Sequence, residues 1–156
     1  SGHSEVNNWE FPWELAMSTQ MTMPTVLAVD DSVVIHQMIK RALQSDYRVL
    51  VVDNAVDGLA MIYHEAIDIV LLDVLMPGVD GLEFCRTVRN LPQFRELPIV
   101  MVTSRDGAFD RVQGRLAGAT EYLTKPFSDD QLRQVVMRLL DGRLAEGKLI
   151  SGTEAR

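Results

Sequence analysis

The chain is sparing with the residues that mark specialised environments. One cysteine in 156 residues, Cys85, rules out an intrachain disulfide, and a chain of this length can build a core without covalent staples. A reducing compartment fits that usage. Positive charge is also in deficit, with 15 Lys and Arg against 22 Asp and Glu and a formal net charge of −7. A phosphate backbone repels such a chain, so generic nucleic-acid binding is disfavoured, although a local basic patch is not. The longest apolar runs are about five residues, well short of the roughly 20 that a membrane span needs. No basic segment followed by an apolar stretch opens the chain. The expectation is a cytoplasmic protein with no membrane insertion and no direct DNA binding, too short for a two-domain enzyme.

Aromatic residues make up 6% of the chain and are unevenly spread, both tryptophans (Trp9 and Trp13) lying in a first stretch that has three Glu and no Lys or Arg before Thr25. Residues 1–23 therefore read as an N-terminal extension. Ser1-Gly2-His3 resembles the remnant of a removed tag, and Met17, Met21 and Met23 each fit a native start. Trp9, Trp13 and Met17 recur at four-residue intervals, one stripe if the segment is helical, which suits docking on its own domain, a second copy or a partner. Residues 24–140 read as one domain. Residues 141–156 form a C-terminal tail, too short and polar for a helix-turn-helix or a catalytic output domain.

Within 24–140, short β-branched runs alternate with segments of helical period. Strands are expected over 25–30, 47–52, 67–73, 98–103 and 121–124, and helices over 33–44, 56–66, 81–89, 109–117 and 128–140. Ser32 and Asn54 stand where helix caps belong, and Ser128-Asp129-Asp130-Gln131 is a capping box. The first helix is expected to turn Val34, Met38 and Ala42 inward, the second Leu59, Ile62, Tyr63 and Ala66, and the last Leu132, Val135, Val136 and Leu139. Near-continuous apolar strands alternating with helices imply an α/β fold, a doubly wound five-stranded parallel sheet with both faces covered. In such sheets functional groups gather beyond the C-terminal ends of the strands. Those ends carry Asp30-Asp31, Asp73, Thr103-Ser104 and Thr124-Lys125-Pro126, while Asp53 and Asp68 read as solvated acids and Asp80 as a helix-start residue.

Three carboxylates at one edge repel each other, and a divalent cation is the usual remedy. Oxygen ligands without nearby His or Cys suit a hard ion with open positions, Mg²⁺ rather than a full Ca²⁺ cage. Lys125 can offset one charge and contact a phosphate oxygen, and the Thr103 hydroxyl can donate to another. A carboxylate nucleophile, a metal and fixed donors are the parts needed for phosphoryl transfer.

Asp30-Asp31, the run from Leu71 through Asp73, Met76 and Pro77 to Gly81, Thr103-Ser104, and Tyr122-Leu123-Thr124-Lys125-Pro126-Phe127, in that order, resemble the CheY-like response-regulator receiver domain of two-component signalling. The resemblance runs from Pro24 to Leu140 and implies the flavodoxin-like (βα)5 fold. It further implies that Asp73 is the phospho-acceptor, that Asp30, Asp31, Asp73 and the backbone carbonyl of Leu75 hold Mg²⁺, and that Lys125 contacts the phosphoryl group. Thr103 would be the switch hydroxyl that draws Tyr122 inward, and the Lys125–Pro126 peptide would be cis. The implied partners are a sensor histidine kinase or phosphotransfer protein and an output protein on the face made by the fourth helix, fifth strand and fifth helix. A homodimer formed on phosphorylation is left open. The stretch from Ser104 to Asp110 with Gly114 to Tyr122 further resembles receivers of pilus-motility and chemotaxis-like systems.

Without the family, the switch still makes physical sense, since an acyl phosphate adds charge and acceptor oxygens beside Thr103. The helix over 109–117 follows directly, with Gly114 inside and Gly107 before it, which lowers its stability and suits it to shifting. His36 and His64 read as flanking residues, Cys85 as a small buried hydrophobe, and Arg105, Arg111 and Arg115 as a basic patch that is either solvated or a site for an acidic partner. Two other classes share parts of this pattern. A haloacid-dehalogenase-type phosphatase shares the Asp, Mg²⁺, Thr and Lys, but needs an Asp-x-Asp-x-Thr run where Asp30-Asp31-Ser32 stands. A phosphate-independent interaction module of the same fold would have lost an acid or the lysine.

Leu75 is apolar and cannot orient a hydrolytic water, and Arg105 is long enough to lie over a phosphoryl group. Slow autodephosphorylation is therefore expected, with Arg105→Ala accelerating the decay of radiolabelled protein if Arg105 shields the group. A wild-type half-life of seconds contradicts this.

Overall fold

In the computed structural model, which describes residues 23–76, 78, 80–104 and 111–145, the two periodicities resolve into alternating strands and helices. They are β1 (Thr25–Val29), α1 (Val33–Leu43), β2 (Arg48–Val52), α2 (Ala55–His64), β3 (Ile69–Asp73), α3 (Gly81–Arg89), a 3₁₀ turn (Pro92–Phe94), β4 (Ile99–Ser104), α4 (Arg111–Ala117), β5 (Glu121–Lys125) and α5 (Asp129–Ala145). All strand pairings are parallel, in the order β2-β1-β3-β4-β5. The expected doubly wound sheet is what forms.

The starts of α1, α2, α3 and α5 are each fixed by a side chain that satisfies otherwise unpaired amides of the first turn. Ser32 Oγ accepts from the Ile35 amide, Asn54 Oδ1 from Asp57, and Asp80 Oδ1 from both Leu82 and Glu83. At α5 the capping box closes in both directions, Ser128 Oγ accepting from the Gln131 amide at 3.1 Å and Gln131 Oε1 from the Ser128 amide at 2.8 Å.

Strand alternation divides the core in two. Val26, Ala28, Ile69, Leu71, Val100, Val102 and Leu123 pack against α1 and α5, through Ile39, Leu43, Leu132 and Val136. Leu27, Val29, Val70, Leu72, Ile99 and Met101 pack on the opposite face against Ile62, Phe84, Cys85, Val88 and Ala117 of α2, α3 and α4. The central strands β1 and β3 are buried along their whole length. Cys85 is the small buried hydrophobe expected, and burial pushes its thiol up to about 11.

Several expectations need correction. Val34 is 71% exposed, because α1 buries Ile39, Ala42 and Leu43 with Ile35 and Met38 beside them, the wider i, i+3, i+4 stripe of a sheet-packed helix. Tyr63 also points outward, 59% exposed, and meets the Phe94 ring edge-on at 6.0 Å. Helix α5 does not stop at Leu140 but continues to Ala145, and Arg143 in its last turn is buried and donates to the Glu96 carbonyl. Asp68 is not solvated. It is completely buried, precedes β3 rather than lying within it, and its Oδ2 accepts from the Thr25 amide at 2.8 Å while its own amide donates to the Thr25 carbonyl at 2.9 Å. The start of β1 is thus tied to the start of β3. The stretches around Trp9 and Trp13, and Arg105 and Gly107, lie outside the described residues.

Arg89 has a structural role that its sequence context does not mark. Its guanidinium donates to the carbonyls of Gly118 (3.0 Å) and Phe94 (2.8 Å) and to Thr120 Oγ1 (3.3 Å), which clamps the turns on either side of β4. Gly118 adopts φ +114, and a Cβ there would lie 2.6 Å from Arg89 Cγ, so both its conformation and its neighbour call for glycine.

Removing the Asp68 carboxylate orphans a buried amide at the base of the sheet. Asp68→Ala is expected to lower unfolding free energy by about 1–3 kcal/mol, read from urea midpoints, with Asp68→Asn costing less because it keeps an acceptor.

Candidate functional site

The register lines up the residues at the C-terminal edge of the sheet. Val29 pairs with Leu72, so Asp30, one position beyond β1, stands level with Asp73 at the end of β3. Asp73 pairs in turn with Val102, whose successor is Thr103, and Lys125 pairs with Ser104 at the end of β5. Alternation then assigns faces: Asp30, Asp73 and Lys125 continue the parity of Ala28, Leu71 and Leu123, whereas Thr103 and Tyr122 share the parity that faces α4.

Both buried acids are held in the same way. Asp30 Oδ1 accepts from the Ser32 amide at 2.9 Å, and Asp73 Oδ1 accepts from the Leu75 amide at 2.9 Å. These are Asx-type turns that bend the chain away from the strand end. The second oxygen of each faces Lys125, whose Nζ donates to Asp30 Oδ2 at 2.9 Å and to Asp73 Oδ2 at 3.3 Å. Asp30 and Asp73 are 3% and 4% exposed, and the neighbouring Asp31 is open to solvent. Carboxylate oxygens of Asp30, Asp31 and Asp73 all lie within 4.8 Å of one another.

Three anionic groups and one ammonium leave an uncompensated negative charge in a partly buried pocket. Burial by itself disfavours the charged form of Lys125. The hydrogen bond and charge of Asp30, followed by those of Asp73, outweigh that penalty and hold its pKa above the usual lysine value. Its two carboxylate partners thus favour the ammonium over the neutral amine. The donor set fits a hard divalent ion: three carboxylates that offer oxygen, one of them exposed for entry, and a residual negative charge that Lys125 does not cancel.

The sequence-predicted residues therefore fall into two groups. Asp30, Asp31, Asp73 and Lys125 converge, and Leu75 adjoins them through its backbone. Thr103 is 3% exposed, one residue beyond the partner of Asp73. Tyr122 lies apart from the carboxylates. The guanidiniums of Arg111 (5.4 Å to the centroid) and Arg115 (5.5 Å) both lie over its ring, its hydroxyl donates to the Arg111 carbonyl, and burial, opposed by both arginines, raises its pKa. Arg111 Nη2 also donates to Thr124 Oγ1 at 2.9 Å, beside Thr103 in the register. The sequence marked these arginines only as a patch, although their four-residue spacing on α4 was the signal that both serve one face. The Lys125–Pro126 peptide is cis, as the resemblance implies.

An acid pair after the first strand, an acid ending the third, a buried hydroxyl ending the fourth and a lysine ending the fifth define a receiver-type signalling domain. Comparison with known proteins agrees, because the response regulator receiver domain family matches residues 26–137, and the chain belongs to that family. It is 41% identical over 110 residues to the response regulator PleD of Caulobacter vibrioides, covering 69% of this chain and 24% of PleD. The chain thus spans about a quarter of the length of that curated relative. Among solved structures, the chemotaxis response regulator CheY4 of Vibrio cholerae superposes with a TM-score of 0.70 at 36% identity, over 75% of this chain and 98% of CheY4. The receiver domain of the sensor histidine kinase PA1611 from Pseudomonas aeruginosa superposes with a TM-score of 0.69 at 28% identity, over 76% of this chain and 98% of that one. That structure is described with a magnesium ion coordinated in its active-site cleft. The phosphatase alternative finds no support in these matches. Among the described residues no helix is long and apolar enough to cross a membrane.

Replacing Lys125 with Met leaves Asp30 and Asp73 facing each other without their shared cation. In metal-free buffer Lys125→Met is expected to cost about 1–3 kcal/mol in thermal or urea unfolding, less than a fully buried pair because Nζ is partly solvated. Added Mg²⁺ should recover part of the loss.

Proposed function

We propose that Asp73 accepts a phosphoryl group from a phosphohistidine of a sensor kinase or phosphotransfer protein, and that the face formed by α4, β5 and α5 reports the event to an output protein. The observation that supports this most strongly is the shared Lys125 clamp on Asp30 and Asp73, two buried acids on different strands held by one ammonium at the sheet edge. A carboxylate oxygen of Asp73 attacks phosphorus, the nitrogen–phosphorus bond of the donor breaks, and the imidazole leaves with that electron pair. The product is an acyl phosphate on Asp73.

Lys125 loses its contact with a carboxylate oxygen and gains one with a phosphoryl oxygen, so the positive charge needs no new desolvation. Asp30, Asp31, Asp73 and the Leu75 carbonyl would hold Mg²⁺, which, when bound, offsets negative charge on the carboxylates and the incoming phosphoryl oxygens. The Leu75 amide, already donating to Asp73 Oδ1, keeps the nucleophile from rotating. Thr103, one residue beyond the register partner of Asp73, turns its hydroxyl toward the new oxygens in this reading, and Thr124 and Tyr122 on β5 couple that movement to Arg111 on α4. Self-phosphorylation from small acyl phosphates and slow hydrolysis follow from the same geometry, with the apolar Leu75 beside the site. A homodimer formed on phosphorylation would use the same face.

Incubation with acetyl phosphate and Mg²⁺ separates the readings by intact mass. A stable gain of about 80 Da, the mass of one phosphoryl group, lost in Asp73→Asn, is the expected result. Release of inorganic phosphate over many turnovers would indicate a phosphatase, and no mass change a phosphate-independent module.

A further inference from the structure

Between α4 and β5 the surface opens into a groove of about 430 Å³ whose chemistry differs from the rest of this acidic chain. Arg111, Val112, Arg115 and Leu116 line it from the helix, and Glu121 and Tyr122 from the strand. Val112 and Leu116 are 67% and 77% exposed. The guanidiniums of both arginines lie over the Tyr122 ring. Glu121 does not cancel their charge, because Oε2 pairs with Arg138 at 3.0 Å and Oε1 accepts from the Tyr122 amide at 3.1 Å. Exposed aliphatic side chains between two guanidiniums and an aromatic ring suit an acidic segment carrying large apolar side chains.

The chain contains one such segment. Glu5, Glu10 and Glu14 alternate with Val6, Trp9, Phe11, Trp13 and Leu15, and no Lys or Arg occurs before Thr25. We propose that this segment, residues 5–17, docks in the α4–β5 groove of its own chain, its glutamates facing Arg111 and Arg115 and its tryptophans covering Val112 and Leu116. The reach is sufficient. Pairing through Leu71 and Val100 puts Glu121 level with Ala28, so β5 starts three strand spacings across and three residues along from Thr25, about 17 Å in all. The twelve residues from Trp13 to Pro24 extend to roughly 40 Å, enough to pass around the sheet edge as well. Tethering also raises the local concentration of the segment to about the millimolar range, so a weak contact suffices.

Docking would cover the face assigned above to the output protein, making the segment an internal competitor. That consequence rests on the proposed output role, but the docking does not.

Because both tryptophans lie in this segment, their emission reports its location without a label. The full chain is compared with Arg111→Glu/Arg115→Glu, unphosphorylated, by acrylamide quenching and emission maximum across a dilution series. The expected result is shielded, blue-shifted emission that is independent of concentration, with the docked-to-free ratio falling about tenfold on charge reversal. Leu116→Glu, at an exposed position, provides a second probe if the double variant loses its far-ultraviolet circular dichroism. Fully quenchable tryptophans in the starting chain overturn the proposal. So does shielding that both sets of substitutions leave intact, which places the segment elsewhere, or shielding lost on dilution, which assigns it to a second copy. Loss of phosphoryl acceptance in Asp73→Asn with unchanged tryptophan shielding would keep the two proposals distinct.

Discussion

Two buried carboxylates on neighbouring parallel strands share a single ammonium, and most of the architecture serves to make that arrangement tolerable. Asp30 and Asp73 are brought level by the parallel register of β1 and β3, and like charges so placed would push those strand ends apart without a counter-charge. Lys125 crosses from β5 to supply it, at 2.9 and 3.3 Å. One backbone amide per acid, from Ser32 and Leu75, takes a remaining oxygen and fixes each carboxylate in direction. Asp31, exposed beside them, adds a third negative charge for which Lys125 provides no contact. The pocket is therefore built with a deficit of positive charge. A divalent ion is the natural means of filling it, and the negative charge of a transferred phosphoryl group increases that demand.

The rigidity behind this site comes from layers with little direct role in it. The central strands β1 and β3 are buried on both faces, and Asp68 ties their opposite ends through paired contacts with Thr25. Strain introduced at the C-terminal edge thus meets a base that does not yield. The periphery is different. On α4, which holds Gly114, Arg111 contacts both Tyr122 and Thr124. A stiff centre carrying the charge and a light edge helix connected to it through a tyrosine and an arginine are the mechanical requirements of a switch.

Much of this was legible in the sequence because the signals were redundant. Apolar strands of β-branched residues, each followed by a capped helix, leave few topologies, and the polar residues left at the strand ends then belong to one edge by construction. The misses share a cause: they depend on which side of an element meets its neighbour. Val33, Val34 and Ile35 are all apolar, and only packing of Ile39 and Leu43 on the sheet shows that Val34 faces out. Asp68 reads as a loop acid until the start of β1 is placed against it. Arg89 resembles any surface arginine, and its role appears only when Gly118, Phe94 and Thr120 converge around it from separate turns. The polar composition beyond Leu140 suggested a tail, yet Arg143 finds a buried carbonyl at Glu96 and the helix continues.

The electrostatic excess of the strand-end acids can be measured directly. Melting temperature is followed as Mg²⁺ is added to the metal-free chain and to Asp31→Asn, whose changed side chain is exposed. Removal of one repelling charge predicts that Asp31→Asn melts higher than the unmodified chain without metal, and that Mg²⁺ raises the unmodified chain much more than the variant. If the variant melts no higher and Mg²⁺ shifts both chains equally, the acids are already balanced and the account of the site is wrong.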